Sequence, residues 1–324
     1  MPQRPLDQPV TIIASALLPL FLQTQPAQMA QAWQAAWTNT ASPAIRDSLQ
    51  LLRQAQVVER HTLPNHSSCT PPEQAYAQAM HWPLTDGLQP FAAEYAAQSG
   101  LPCPADQGWA FIDLVHWEVN QGQVHLSSAG EVSSEEDHAV FQAMQPYFEE
   151  DGIHLQPVTP GHWLARSSHF KLQPSVSLAR VLDQDIAYWL DPDSVAAQSR
   201  SQRLLRRLQN EMQMLLYTHA INDRRPLTIN SFWWSGTGDL PDHSHGEVRL
   251  NTDLHATFAA QDPHAWGARW QQLAQDLMAP ALLAGHRLVL CGEDRHIGLQ
   301  SPPTGLWQSL KTLFPQPALK VLLA

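Results

Sequence analysis

The chain has 324 residues, of which 44% are hydrophobic, enough to bury a large core as one large domain or two modest ones. With 19 basic against 30 acidic residues the net charge is −11, which excludes a general attraction to nucleic acid or to an anionic membrane surface. Three widely spaced cysteines, Cys69, Cys103 and Cys291, write neither a disulfide framework nor a zinc cluster and fit a reducing, cytoplasmic setting.

The apolar run Val10 to Leu22 is too short to span a bilayer and is broken by Pro19, so it reads as a buried first strand and a turn. Helical spacing follows at Pro26 to Trp37 and at Pro43 to Gln56. Glu59 to Pro72 carries three prolines and several side chains that bond to backbone, and reads as an irregular loop before a helix at Pro72 to Met80. Beyond the turn-rich stretch Gln98 to Gln107 lie strands at Gly108 to Glu118 and Gln123 to Leu126, joined at Gln121-Gly122. Ser133 or Ser134 then caps a helix with an acidic first turn and an apolar face of Val140, Phe141, Met144 and Phe148. Strands at Ile153 to Pro157 and His162 to Ser167 complete a small α+β unit.

The longest helical pattern runs from Pro192 to Thr218 and contains the one local basic patch, Arg200, Arg203, Arg206 and Arg207. A strand at Thr228 to Trp234 leads to the turn Ser235-Gly236-Thr237-Gly238, and a helix at Pro263 to Leu283, a strand at Arg287 to Cys291 and a short helix near Thr304 to Phe314 close the chain. The expected fold is α+β or α/β. It has a mixed sheet made from the first and C-terminal strands and an inserted α+β unit, with segments 1–104, 105–240 and 241–324.

The segment Arg203 to His219, then Asn222, Arg224 and Arg225, then Asn230-Ser231-Phe-Trp-Trp-Ser-Gly236-Thr-Gly238, resembles the signature of the RpfE-type regulatory proteins. The same order is similar to archaeal-type cofactor-independent phosphoglycerate mutases: a helix ending in His, then Asn and Arg, then an Asn-bearing strand and a Gly-x-Gly turn. Trp109-Ala-Phe, Pro160-Gly-His-Trp163 and Leu290-Cys-Gly-Glu293 add to the first resemblance, which covers the chain from about residue 60 onward; the second covers about residues 105 to 240. It implies a distantly alkaline-phosphatase-like fold, a superfamily that transfers phosphoryl groups with a serine nucleophile and two divalent metals. A metal-binding Asp-Gly is expected after the first strand, where this chain has Ser15-Ala.

The resemblance therefore implies a non-catalytic, regulatory relative without a cofactor, binding a phosphorylated metabolite or a protein partner and neither nucleic acid nor membrane. His219, Asn222, Arg224, Arg225, Asn230, Ser231, Gly236 and Gly238 are the expected ligand-binding residues: two guanidiniums, two amides and backbone N–H groups suit an anion, while loop charges and a tight turn are the plain alternative. Asp242, His243 and His245 form either a local metal site or a solvated loop. A rearranged manganese- or magnesium-dependent phosphomutase or phosphohydrolase would draw on His219, Asp242, His243, His245, Glu293 and His296. Glu59-Arg60-His61 offers an acid, an anion clamp and a base, although adjacent residues do not point one way. Finally, the 12 tryptophans serve packing or build an aromatic interaction surface.

Overall fold

The computed structural model describes residues 10–15, 42–102, 104–190, 199–241, 246–254 and 262–301. The helices expected at Pro26 to Trp37 and Thr304 to Phe314, and the start of the one expected from Pro192, lie outside these residues. The chain divides into two units: the described parts of Met1–His66, Thr70–His81 and Ser244–Ala324, and the described parts of Ser67–Cys69 and Trp82–His243.

The first unit opens with β1 (Thr11–Ala14), buried along its whole length, which is why its four residues include no charge. In α1 (Pro43–Gln54), the Ser42 hydroxyl accepts from the Ile45 N–H and Pro43 takes the first turn, where a missing N–H costs nothing. β2 (Gln56–Thr62) corrects the expectation of a loop from Glu59 onward: Val57 and Val58 favour an extended chain, and the strand is held by a partner far along the sequence. α2 (Pro71–Ala79) is started by Glu73, which accepts from the Thr70 N–H at 2.7 Å and its hydroxyl at 2.8 Å.

The long segment of the second unit runs from Trp82, and its α3 (Phe91–Gln98), not anticipated from the sequence, packs Ala92, Ala93 and Ala96 on Trp109 and Leu164. β3 (Gly108–Asn120) turns at Gln121 and Gly122, both with positive φ as a two-residue hairpin requires, into β4 (Gln123–Ser128). After α4 (Ser134–Glu150) come β5 (His154–Thr159), β6 (His162–Ser167), β7 (Gln184–Asp185), α5 (Arg200–Tyr217) and β8 (Ser231–Ser235). They form an antiparallel sheet ordered β5-β6-β3-β4-β7, with β8 also on β3. Val140, Met144 and Phe148 of α4 and Leu205, Leu208, Met212 and Leu216 of α5 close its core over Ile112, Trp163 and Phe232.

The chain returns to the first unit through β9 (Val248–Asn251) and α6 (Pro263–Leu273), which runs through a π turn at Ala274–Met278 into α7 (Ala279–Leu283). Pro280 has no N–H to give and its ring crowds the preceding turn, and the wider turn closed by Ala279 N–H on Ala274 O accommodates it. β10 (Arg287–Cys291) and β11 (Arg295–Gln300) complete a mixed sheet ordered β2-β11-β10-β1-β9, in which β1 runs parallel to both β10 and β9. The fold is thus mixed α/β, two sheets flanked by helices.

Among the described tryptophans Trp189 is half-buried and the rest are buried, so these indoles serve packing; Trp33, Trp37 and Trp307 lie outside the described residues. Large indoles contribute most where their whole area leaves water. No helix among the described residues is long and apolar enough to cross a membrane.

Trp163 is fully buried and donates its indole N–H to Asp137 at 2.8 Å. Trp163→Ala is expected to cost about 3–5 kcal/mol, read as a lowered urea midpoint; an unchanged midpoint would contradict its place in the core.

Candidate functional site

At the end of α5 the chain turns through a 3₁₀ segment, Ala220–Arg224, capped by His219, whose Nδ1 accepts from the Ile221 N–H at 3.3 Å. Asn222 donates to the carbonyls of Leu216 at 2.9 Å and Ile229 at 2.8 Å and accepts from the Ile229 N–H at 2.8 Å. One amide thus ties a helix end to the approach of β8. Arg225 turns inward to Glu136 at 2.7 Å and to the carbonyls of Ala129, Glu131 and Leu227. The Glu136 carboxyl is held below the usual carboxylate range, chiefly by the Ser133 N–H and then by Arg225. Arg224 is exposed, because successive side chains of a 3₁₀ turn diverge by about 120°; the two arginines do not make a fork.

Asn230 accepts from the Trp117 N–H at 2.7 Å and donates to the Trp117 carbonyl at 2.8 Å, so a side-chain amide extends the β3–β8 ladder by one residue. Ser231 is buried and its hydroxyl has no hydrogen-bond partner. Gly236 and Gly238 lie beyond the other end of β8, five residues or roughly 16 Å away at strand rise. Their lack of side chains serves packing: a Cβ on Gly238 would stand 2.5 Å from the Leu88 carbonyl oxygen, and one on Gly236 2.9 Å from the Phe111 ring. Between them Thr237 donates its N–H to Ser175 Oγ and its hydroxyl to the Gln173 carbonyl at 2.6 Å. The arginine end and the glycine turn therefore do not meet around one pocket.

A different set does converge, in the first unit. β2 and β11 pair antiparallel with His61 opposite His296 and Glu59 opposite Gly298, while Val57 faces Leu299. The extra residue Val58 is a bulge that turns Val57 toward the apolar core and Glu59 with His61 to the other face of the sheet. The His61 and His296 rings stack with centroids 4.9 Å apart. Glu59 accepts from His61 Nε2 and from Gln78 of α2 through one oxygen, and pairs with Arg287 of β10 through the other. Gly298 makes the room, since a Cβ there would press on both Arg287 and Glu59 at 3.3 Å.

His296 is only 1% exposed and neither ring nitrogen has a hydrogen-bond partner. Burial, then the neighbouring His61 and Arg287, push its imidazole down to about 4. Opposite Cys291, at the carboxyl ends of β10 and the parallel β1, His296 sits where open α/β sheets carry their ligands. Glu293 and Asp294 are in the turn between β10 and β11, whereas His296 is in β11. Burial and the adjacent Asp294 raise the Glu293 carboxyl, and burial pushes the Cys291 thiol far up, leaving it an inert core group. His219 belongs to the inserted unit, and Asp242, His243 and His245 lie outside the described residues.

The outward face of α5 exposes two large apolar side chains. Met214 is 77% and Tyr217 85% exposed, and with Asn210 and Gln213 they line a shallow depression of about 520 Å³.

No protein-family model matches the chain, and no curated protein matches it. Among solved structures it is similar to the PH0037 protein from Pyrococcus horikoshii, with a TM-score of 0.45 and 11% identity over 94% of this chain and 92% of that one. It is also similar to a cofactor-independent phosphoglycerate mutase from Thermoplasma acidophilum, with a TM-score of 0.31 and 9% identity over 90% and 89%. Likenesses this distant carry no residue roles across.

Two outcomes are expected from this geometry. Asn222→Asp keeps the acceptor but loses both donors and faces two carbonyls, and is expected to lower stability by about 1–3 kcal/mol by denaturant unfolding, whereas a neutral result would remove its tying role. Unfolded, His296 takes up a proton as pH falls below about 6.5, while folded it does so only near 4, so the unfolded state binds more protons in between. Stability therefore falls as pH drops across that window, by up to roughly 3 kcal/mol, and His296→Leu flattens this component. Equal pH slopes for variant and parent would show that the ring is not held neutral.

Proposed function

We propose that the chain is a non-catalytic, regulatory protein of the RpfE-type, mutase-related class that acts by binding a protein partner through the outward face of α5. The observation that carries this reading is the exposure of Met214 and Tyr217 beside Asn210 and Gln213. An aromatic ring and a thioether left in water at helical spacing, next to amides able to give and accept hydrogen bonds, have the composition of an interface centre. The partner is a protein surface with an apolar recess for the tyrosine ring and polar groups for the amides.

The non-catalytic part rests on what ends the parallel strands. β1 runs into Ser15, β9 ends in Asn251 and β10 in Cys291, whereas holding two divalent ions for phosphoryl transfer takes several carboxylates. In the segment that carries the family resemblance, Asn222, Arg225 and Asn230 tie backbone together, which is a framework role. Arg224 remains the surface cation for a phosphorylated metabolite, the other ligand class this reading admits.

A photoreactive residue at position 214 is expected to cross-link one discrete partner in cells, and the same probe at Leu172, 72% exposed, is not. Identical products from both positions would defeat the interface. Incubation with manganese and phosphoglycerates is expected to give no turnover, and sustained turnover lost on chelation would overturn the non-catalytic reading.

A further inference from the structure

We propose that Glu59, His61 and His296 form a site for one borderline divalent transition-metal ion, of which zinc is the representative. One ligand atom from each residue lies within 4.8 Å of the other two. Two imidazoles and a carboxylate on adjacent strands make a facial set that leaves further coordination positions open. Zinc at its usual bond lengths holds its ligands about 3.3 Å apart, so the joined Glu59 and His61 part to admit the ion while His296 draws toward them. His61 is on the edge strand with 38% of its side chain exposed, which gives the ion a path and the cluster room to adjust.

The independent pointer to a ligand is His296. A buried imidazole with both nitrogens unpartnered is a standing cost in a folded protein, and a nitrogen aimed into a cluster of potential ligands is relieved by a cation. The neutral form of an imidazole is the one that binds metal. Glu59 divides its oxygens: Arg287 keeps Oε2, while the ion takes the place between Oε1 and His61 Nε2, with the His61 imidazole in the tautomer that carries its proton on Nδ1. Gln78, also on Oε1, and Arg287 then orient the carboxylate from outside, as second partners of metal ligands do.

Chemistry selects the metal class. With one carboxylate, already shared with a guanidinium, and two imidazoles, the site lacks the oxygens that magnesium or calcium demands and offers the nitrogen donors that suit zinc, nickel or copper. The site does not rest on the regulatory role proposed above.

The test is zinc titration of chelator-treated full-length protein, free of any histidine tag, followed by calorimetry and elemental analysis. One equivalent of zinc is expected to bind and raise the melting temperature, with magnesium ineffective. His61→Ala, at a half-exposed position that spares the core, is expected to weaken binding by at least about tenfold. Glu59→Gln and His296→Leu should do the same, while a His243→Ala/His245→Ala double variant should bind as the parent does. No stoichiometric binding, or binding undiminished in His61→Ala, or binding lost in the double variant alone, would overturn the site. Zinc bound without turnover supports both the site and the regulatory reading; zinc bound with turnover keeps the site and defeats that reading.

Discussion

The first unit depends on the parallel pairing of β1 with β10 and β9, because four residues near the start of the chain must find their partners near its far end. Closing so long a loop costs conformational entropy, though the cost grows only slowly with loop length. The return is burial on both faces: Ile12 joins the core of Trp266, Trp270, Leu288 and Leu290, and Ile13 meets Ala75, Val289 and Cys291 on the other side. Because the sheet is assembled from both ends of the chain, the intervening residues fold as a separate unit with its own antiparallel sheet and core. The same pairing brings the carboxyl ends of β1 and β10 level with the start of β11, which is where His296 sits.

In the second unit, polar side chains do work that backbone leaves undone. Asn222 satisfies a helix-end carbonyl and both backbone groups of Ile229, Asn230 stands in for a strand residue, and Arg225 gathers three carbonyls and a carboxylate. Each answers the requirement that buried backbone groups be paired. A pattern of Asn and Arg at short spacing is therefore compatible with a scaffold as well as with an anion pocket, and here the internal partners account for most of its hydrogen-bonding capacity.

The Glu59, His61 and His296 cluster is built the other way. Its framework is paired strand apart from the bulge at Val58, and what is left without a partner is the buried imidazole of His296, beside His61 and Arg287. Packing alone does not ask for this combination, since a buried aromatic of similar size would stack on His61 without the two orphaned nitrogens.

Much of the architecture was legible in the residues themselves. Alternation and turn chemistry marked the β3 to β4 hairpin, caps and apolar periodicity marked α1, α4 and α5, and the apolar runs at Thr11 to Ala14 and Arg287 to Cys291 indicated a sheet made from first and last strands. These are local signals, written in neighbours three or four residues apart. β2, β9, β11 and α3 were not so written, because short strands at a sheet edge or between partners are specified by pairing across the chain. The candidate site was hidden for the same reason. In sequence Val57, Glu59 and His61 share one strand period, and only the bulge at Val58, set by pairing with Leu299 and Gly298, sends the valine to the core and the two polar groups to meet His296. The sequence by itself determined which residues could carry charge, metal or packing; the tertiary structure decided which of them face one another, because register across distant strands is a property of the assembled sheet.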